Sequence, residues 1–150
     1  MTMKTARGAA AGLACLLALA SLASPPLAQT PAASLKAQLV GHWALVSFSI
    51  GESQPYGAHP QGSMFLDAGG HYSVVVVSEG AASSISYFGD YTIDDASGTV
   101  TMHIAASSRP SAAGRDEKRL VTFSGDELIV GNRKKVGSLG AVALTWRREN

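Results

Sequence analysis

The sequence predicts an all-β domain, an eight-stranded antiparallel up-and-down β-barrel that forms a cup around one small ligand. Beyond residue 38, runs rich in Val, Ile, Leu and aromatic residues alternate with turn residues, and no segment between them is long enough for a helical crossover. The first, fifth and seventh connections are long, whereas the second, fourth and sixth are tight turns. Odd and even connections of a meander lie at opposite ends, so one end carries loops and the other tight hairpins, as in a cup. A two-sheet sandwich is the alternative fold.

The eight predicted strands follow the hydrophobic runs in chain order. They cover residues 39–50, 62–66, 71–78, 85–93, 99–106, 117–124, 127–132 and 141–148.

The first predicted strand reads LVGHWALVSFSI and carries Gly41 and Trp43 near its start. A large indole can close one end of a small barrel, and a glycine beside it lets the backbone pass close. The alternative interpretation is an ordinary core tryptophan and an edge glycine.

Residues 1–28 have the pattern of a secretory signal peptide. Lys4 and Arg7 precede an apolar run over residues 9–23, which is too short to span a bilayer. We predict cleavage after Ala28, with cleavage after Ala23 as the alternative. The mature chain is then expected in the periplasm or secreted. The other interpretation, a buried N-terminal helix, is disfavoured because two prolines at 25–26 end the run.

The mature chain has few means of stabilisation besides its core. Its one cysteine, Cys15, lies inside the apolar leader run, so the mature chain has neither disulfides nor a lipid-anchoring cysteine. Removing Lys4 and Arg7 leaves 10 of the 12 basic residues against 11 acidic ones, a net charge of −1, which disfavours a nucleic-acid partner. Residues 29–38 are predicted as a leader in which Ser34 caps a single helical turn, and residues 39–150 form the barrel domain.

The turn after the fourth strand predicts which residues face inward. If Asp94 pairs with Thr99, Tyr91 lies opposite Met102 and shares its face with Tyr87. We therefore expect Tyr87, Tyr91 and Met102 to line the cavity, with the tyrosine hydroxyls as donors to a ligand. Plain packing is the alternative role. On the opposite, outward face, His103 is expected to pair with Asp90.

Arg119 is the sharpest ligand-binding candidate. Pairing around residues 125–126 places Phe123 opposite Leu128, Val121 opposite Val130, and Arg119 opposite Asn132 on the inward face near the open end. A guanidinium there can hold a carboxylate through two hydrogen bonds. The alternatives are a partner within the chain (Asp90, Asp116 or Glu117) or contact with solvent at the rim. On the third strand, the inward face is predicted to carry Tyr72, Val74 and Val76. Tyr72 and Asn132 are further ligand-binding candidates.

Charges are distributed unequally between the two ends. The loop end carries five basic and three acidic residues: Arg109, Arg115, Arg133, Lys134, Lys135, Glu52, Glu79 and Asp116. The tight turns carry acids and no base, namely Asp67, Asp94, Asp95, Asp126 and Glu127. This pattern predicts a positive mouth that steers anionic amphiphiles inward. The alternative is that loops are charged because they are solvated.

No catalytic motif or cofactor site is predicted. The histidines at positions 42, 59, 71 and 103 lack close ligand spacing with other ligand types on one strand face, so no metal site is expected. The chain has neither a Gly-rich phosphate loop after a strand nor a G-x-S-x-G turn.

Five segments resemble the lipocalin-like domain family of small bacterial and fungal proteins, within the wider lipocalin (calycin) group. They are LVGHWALVSF, PYGAHPQGSMFLDAGGHYS, YFGDYTIDDASGTVTMHI, KRLVTFSGDEL and LTWRRE, and together they extend over residues 39–149. The resemblance implies the eight-stranded cup and a hydrophobic cavity. It also implies that Trp43 stands at the closed end beneath Arg148 or Arg147. The chain departs from the family pattern at residues 79–83, at Ala105 and in the loop at 109–112, so the resemblance does not identify a ligand.

The sequence thus favours an exported protein that binds a hydrophobic or amphiphilic molecule. Anionic amphiphiles are among the ligands expected. The first alternative is an enzyme in the same cup, such as an isomerase or cyclase acting on a lipid or polyketide. The second is a filled-barrel interaction or inhibitor module. Cavity volume discriminates the last of these from the other two. No transmembrane segment is expected in the mature chain, and the oligomeric state is not predicted.

Overall fold

The computed structural model describes residues 33–132 and 140–149, and these form a closed antiparallel barrel of eight strands in chain order. The strands are β1 (Gly41–Ile50), β2 (Gln61–Leu66), β3 (His71–Val77), β4 (Ser84–Asp94), β5 (Thr99–Ser107), β6 (Asp116–Ser124), β7 (Glu127–Gly131) and β8 (Val142–Glu149). Each strand pairs with the next, and β8 closes the barrel against β1. The predicted fold is confirmed, and the sandwich alternative is wrong. The predicted signal peptide, the first leader residues and Arg133, Lys134 and Lys135 lie outside the described residues.

A short helix, α1 (Leu35–Leu39), precedes the barrel. The Ser34 hydroxyl accepts a hydrogen bond from the Ala37 N–H at 3.2 Å, so Ser34 caps the helix as predicted. The Trp43 indole N–H donates to the Leu39 carbonyl at 2.9 Å, which ties the end of α1 to the barrel. Two 3-10 turns, Glu79–Ala81 and Pro110–Ala112, lie in the third and fifth connections. No helix in the described parts of the chain has the length and apolarity needed to cross a bilayer.

The strand registers follow the predicted pairings. Asp94 pairs with Thr99, and Tyr91 pairs with Met102. Around the β6–β7 turn, Phe123 pairs with Leu128 and Val121 with Val130. Because side chains alternate across a strand, these registers fix which residues face the barrel interior.

The core occupies the barrel interior. Trp43 and Trp146 are each 1% exposed, and Leu128 is fully buried. The predicted inward face of β3 is confirmed, since Tyr72 and its alternate neighbours Val74 and Val76 are all buried. The tight turns and α1 cover the closed end. The first, third and fifth connections lie at the other end.

Candidate functional site

The barrel encloses a cavity of about 440 Å³ that reaches the loop end. Small-molecule sites have volumes of this order. Its walls are mainly apolar side chains from seven strands: Phe48, Ile50, Met64, Val74, Val76, Ile85, Met102, Val130, Val142, Leu144 and Trp146. The barrel interior is therefore not packed solid, which argues against the filled-barrel alternative. Met102 lines the cavity, as the register predicted.

An ion pair between Arg119 and Glu117 lies on one wall of the cavity. The two residues stand two positions apart on β6, so both side chains project to the same face. Arg119 Nη2 lies 2.6 Å from Glu117 Oε2, and the side chains are 18% and 34% exposed. Arg119 Nη1 also donates to Asn132 Oδ1 at 3.3 Å. Arg119 is thus inward, as predicted, but it has a partner within the chain. Asn132 contacts Arg119 and is not among the residues that line the cavity.

Tyr87 lines the same cavity near this ion pair. Burial raises the pKa of its hydroxyl, and the negative charge of Glu117 raises it further against the opposing effect of Arg119. The hydroxyl therefore remains neutral and can donate a hydrogen bond. Within residues 33–132 and 140–149, no group accepts a hydrogen bond from the Tyr87 hydroxyl. Its oxygen is not fully buried, because every fully buried side-chain oxygen or nitrogen in these residues has a hydrogen-bond partner. It is available to a ligand.

Tyr72 and Tyr91, two predicted ligand-binding residues, do not line this cavity. The Tyr91 hydroxyl donates to the Asp67 carbonyl at 2.6 Å and thereby holds the β2–β3 turn. The Tyr72 hydroxyl donates to the His103 carbonyl at 3.4 Å, and its ring packs edge-on against Tyr87 with centroids 6.0 Å apart. Strand alternation correctly predicts their inward face. It does not give their height along the barrel axis, and both stand nearer the closed end.

The mouth includes residues that sequence analysis did not assign to a cavity. Tyr56, from the first connection, is buried and stacks on Phe48 with ring centroids 4.9 Å apart. Arg109, from the fifth connection, also lines the cavity. Both belong to loops, where no periodicity indicates which side chains point inward. Glu79 anchors the first connection, because its carboxylate accepts the N–H groups of Ala58 and His59 at 3.1 and 3.3 Å.

The predicted contrast in charge between the two ends is smaller than the turns alone suggested. Arg147, on β8, lies 2.8 Å from Glu127 and 3.6 Å from Asp126. The acidic residues of the β6–β7 turn are therefore paired with a basic residue from another strand, which the turn sequences alone do not reveal.

At the closed end, the Arg148 guanidinium lies over the Trp43 ring, with Cζ 4.2 Å from the ring centroid. It also donates to the Val40 carbonyl at 3.0 Å and to the Gln38 carbonyl. Gly41 has φ of +143°, and a Cβ there would come within 2.5 Å of Arg148 Nη1. Glycine thus leaves the space that Arg148 occupies. Arg147, the alternative candidate for this position, points to Asp126 and Glu127 instead.

The outward histidines form surface pairs with carboxylates. His103 Nδ1 lies 2.7 Å from Asp116 rather than beside Asp90, the predicted partner. His103 pairs in register with both Asp90 on β4 and Asp116 on β6, and the β6 residue is the one it contacts. His71 lies 2.9 Å from Asp67 and 3.8 Å from Asp90. In the described portion of the chain, no three His, Cys, Asp or Glu side chains are arranged to hold a metal ion.

A closed eight-stranded barrel with a mainly apolar internal cavity defines a β-barrel of the ligand-binding type. A family model described as a lipocalin-like domain matches residues 79–149, a segment that runs from the β3–β4 connection to the end of β8. This match confirms, over these residues, the resemblance stated from the sequence. No curated protein matches the chain.

Proposed function

We propose that the protein is exported and binds one small hydrophobic or amphiphilic molecule inside the barrel. The observation that carries this proposal is the cavity of about 440 Å³, in which apolar walls meet the Arg119–Glu117 pair and the free Tyr87 hydroxyl. Apolar surface supplies most of the affinity of such sites, and a few polar groups fix the orientation of the ligand. The ligand is expected to have an apolar body and one hydrogen-bonding end.

The charges that line the cavity support an anionic group at that end. Arg109 and Arg119 contribute two positive charges and Glu117 one negative charge, which leaves one positive charge in excess. Glu117 already pairs with Arg119 at 2.6 Å, so an anionic group of the ligand must either share Arg119 with Glu117 or displace Glu117 from it. The Tyr87 hydroxyl can donate to the same group. A carboxylate-bearing lipid therefore fits the site, and a neutral amphiphile fits it through Tyr87 alone.

The site is tested by native mass spectrometry of residues 29–150 purified from an exporting host, followed by solvent extraction. A co-purifying mass that is lost on denaturation is the expected result. Ile85→Trp should abolish it, because Ile85 lines the cavity and an indole there obstructs the opening. Ser86→Trp is the matched control, since the next residue on the strand faces outward. The binding proposal fails if no mass co-purifies and no fluorescent fatty acid binds, or if Ile85→Trp binds as wild type does.

Export and a periplasmic or secreted location are proposed from residues 1–28, with their basic start, apolar run and small residues before position 29. The intact mass of protein recovered outside the cytoplasm should correspond to a chain beginning at Gln29. Recovery of the full-length chain in the cytoplasm alone would contradict export, and it would leave the binding proposal standing.

A lipocalin-fold enzyme, such as an isomerase or cyclase acting on a lipid or polyketide, is the second candidate. The observation that favours it is the convergence of a carboxylate, a guanidinium and a neutral phenol on one cavity wall. Incubation of the extracted molecule with fresh protein distinguishes the two candidates. Chemical conversion that Glu117→Gln abolishes supports the enzyme, whereas unchanged recovery supports binding alone.

A further inference from the structure

Three side chains on the outer wall of the barrel form a Ser–His–Glu arrangement outside the ligand cavity. His42 Nε2 lies 2.7 Å from Ser63 Oγ, and His42 Nδ1 lies 2.9 Å from Glu149 Oε2. The three residues come from adjacent strands. His42 on β1 pairs in register with Glu149 on β8, and Ser63 on β2 pairs with Ala44, two positions along β1. Strand alternation therefore places all three on the same outward face.

The position of the protons follows from the donor and acceptor capacities of these groups. An ionised carboxylate only accepts hydrogen bonds, so the Glu149 contact places the imidazole proton on Nδ1. In that tautomer Nε2 presents a lone pair, to which the Ser63 hydroxyl donates. In this orientation, the imidazole can take the serine proton as the hydroxyl oxygen attacks an electrophile.

The surroundings hold the imidazole in place and leave it accessible. Phe65 stacks on His42 with ring centroids 4.0 Å apart and an angle of 7° between the ring planes. The His42 and Glu149 side chains are 35% and 48% exposed, so solvent and a small substrate can reach them. Phe65 and Phe88, which both pair in register with Ser73, are 50% and 56% exposed and offer an apolar surface beside the serine.

The geometry points to a second, reactive site on this wall, with Ser63 as the nucleophile, His42 as its general base and Glu149 as a positioning residue. The substrate class is an activated ester with an apolar acyl chain, which the exposed phenylalanines contact. Ser63 Oγ forms a bond to the carbonyl carbon, the hydroxyl proton passes to His42 Nε2, and the alcohol or phenol departs with that proton. Water, deprotonated by the same nitrogen, then attacks the acyl-serine, releases the acid and restores the hydroxyl.

The position of Ser63 within the sheet limits the esters that can react. β2 lies between β1 and β3, so its backbone N–H groups are taken up by the two ladders. They are not free to stabilise the negative charge that develops on the carbonyl oxygen. The site is therefore suited to esters with good leaving groups and to slow turnover.

The test uses an alkyl fluorophosphonate, followed by intact-mass measurement and peptide mapping. In this reaction the Ser63 oxygen bonds to phosphorus, fluoride leaves and the proton passes through His42 to solvent. One adduct on Ser63 is expected, and Ser63→Ala should remove it. Ser73→Ala is the matched control, because Ser73 lies on the same wall between the two phenylalanines without a histidine partner, and it should leave the adduct unchanged.

The two partners are tested by labelling rates. His42→Gln should slow labelling at least about 100-fold, the lower end of what a general base contributes. Glu149→Ala should slow it more than Glu149→Gln, because glutamine keeps an oxygen that can accept the Nδ1 proton. A role confined to packing would change the thermal midpoint and leave the labelling rate unchanged. Hydrolysis of p-nitrophenyl butyrate should follow the same order of variants.

Labelling of a tyrosine or of another serine, or equal rates in wild type and His42→Gln, would overturn the proposal. The Glu149 variants decide the matter if His42→Gln does not fold. Ile85→Trp, which blocks the cavity, should label as wild type does, so this site and the proposed ligand site succeed or fail separately.

Discussion

At the scale of single residues, Arg119 shows how a partner determines the chemistry of a site. Alternation along β6 places its side chain inside the cavity, and the same alternation places Glu117 beside it. The guanidinium is therefore partly neutralised before any ligand enters. Selectivity for charge depends on the balance of Glu117 and Arg119, and either one can be changed alone.

Glu117→Gln is expected to tighten the binding of a fluorescent fatty acid by about tenfold, equivalent to about 1.4 kcal/mol. The substitution removes the charge that competes with the ligand carboxylate for Arg119. Arg119→Gln should weaken binding by a similar factor, as measured by fluorescence titration.

Lys118→Gln is the matched control for Arg119→Gln, because it removes one positive charge from the adjacent, exposed position on the same strand. Equal effects of the two substitutions would show that Arg119 acts only through the net charge of the protein.

Arg148→Ala is expected to lower the free energy of unfolding by about 1–3 kcal/mol, because it removes a cation–π contact and the hydrogen bonds to the Val40 and Gln38 carbonyls. Arg147→Ala removes only an exposed pair with Asp126 and Glu127, so it should cost less than about 1 kcal/mol. Urea unfolding of both variants measures the difference. Equal losses would contradict a specific contribution of the Trp43 contact.

At the scale of secondary-structure elements, the β4–β5 pair contains a register shift at a point where the two backbones approach each other closely. The register shifts between Phe88 and Gly89, and a Cβ on Gly89 would collide with the backbone of His103. Neither strand can move away from this contact, because both pair with a neighbour on their other side. The glycine is therefore required by close backbone approach within the sheet.

Gly89→Ala is expected to destabilise the barrel by about 3 kcal/mol or more, since the added carbon must break the local pairing. Gly114→Ala is the control. Gly114 has φ of +75° but nothing within 4 Å of the added carbon. Its substitution should cost only about 1 kcal/mol of backbone strain. Chemical denaturation gives both values, and equal costs would argue against the steric explanation.

The β2–β3 turn carries a pH-dependent pair, Asp67 and His71. Their side-chain hydrogen bond raises the pKa of His71 above 6.5, and hydrogen bonds from His71 lower the pKa of Asp67 below 3.8. The stabilisation from His71 is full below pH 6.5 and is lost as the pH rises through its higher folded value. The stabilisation from Asp67 is full above pH 3.8 and is lost as the pH falls through its lower folded value. The pair therefore contributes fully only between these limits.

Asp67→Asn should return the pKa of His71 toward its ordinary value and remove this pH window. Asparagine keeps an oxygen that can accept the His71 backbone N–H, so the turn itself should persist. NMR titration of the His71 ring measures the shift. An unchanged His71 pKa in the variant would contradict the assigned cause.

At the scale of the whole molecule, barrel closure produces the cavity. All eight strands and three of the connections contribute its lining, so the site exists only in the folded state. A molecule that binds the folded state alone must stabilise it by mass action.

A ligand of the barrel at 100 times its Kd should raise the free energy of unfolding by about 2.7 kcal/mol. Denaturation with and without the molecule extracted from the purified protein tests this value. Ile85→Trp should show no stabilisation. A similar increase in that variant would place the ligand elsewhere on the protein.

The sequence by itself determined the strand order, the inward faces and most of the pairings. These properties arise from local causes, since side chains alternate with a period of two and short turns such as the one between Asp94 and Thr99 fix the register. The pairing of Arg119 with Glu117 could also be predicted from the sequence, because Glu117 lies two residues away on the same face of the strand.

Only the tertiary structure decided the height of each side chain along the barrel axis. It also decided which of the two neighbouring strands supplies the partner that each side chain contacts. Tyr87 reaches the cavity, whereas Tyr91, on the same face, bonds the Asp67 carbonyl near the closed end. The Ser63–His42–Glu149 arrangement joins the two ends of the chain through the β8–β1 closure. Such contacts depend on the tilt and stagger of the strands when the sheet closes, and no local pattern in the sequence encodes that stagger.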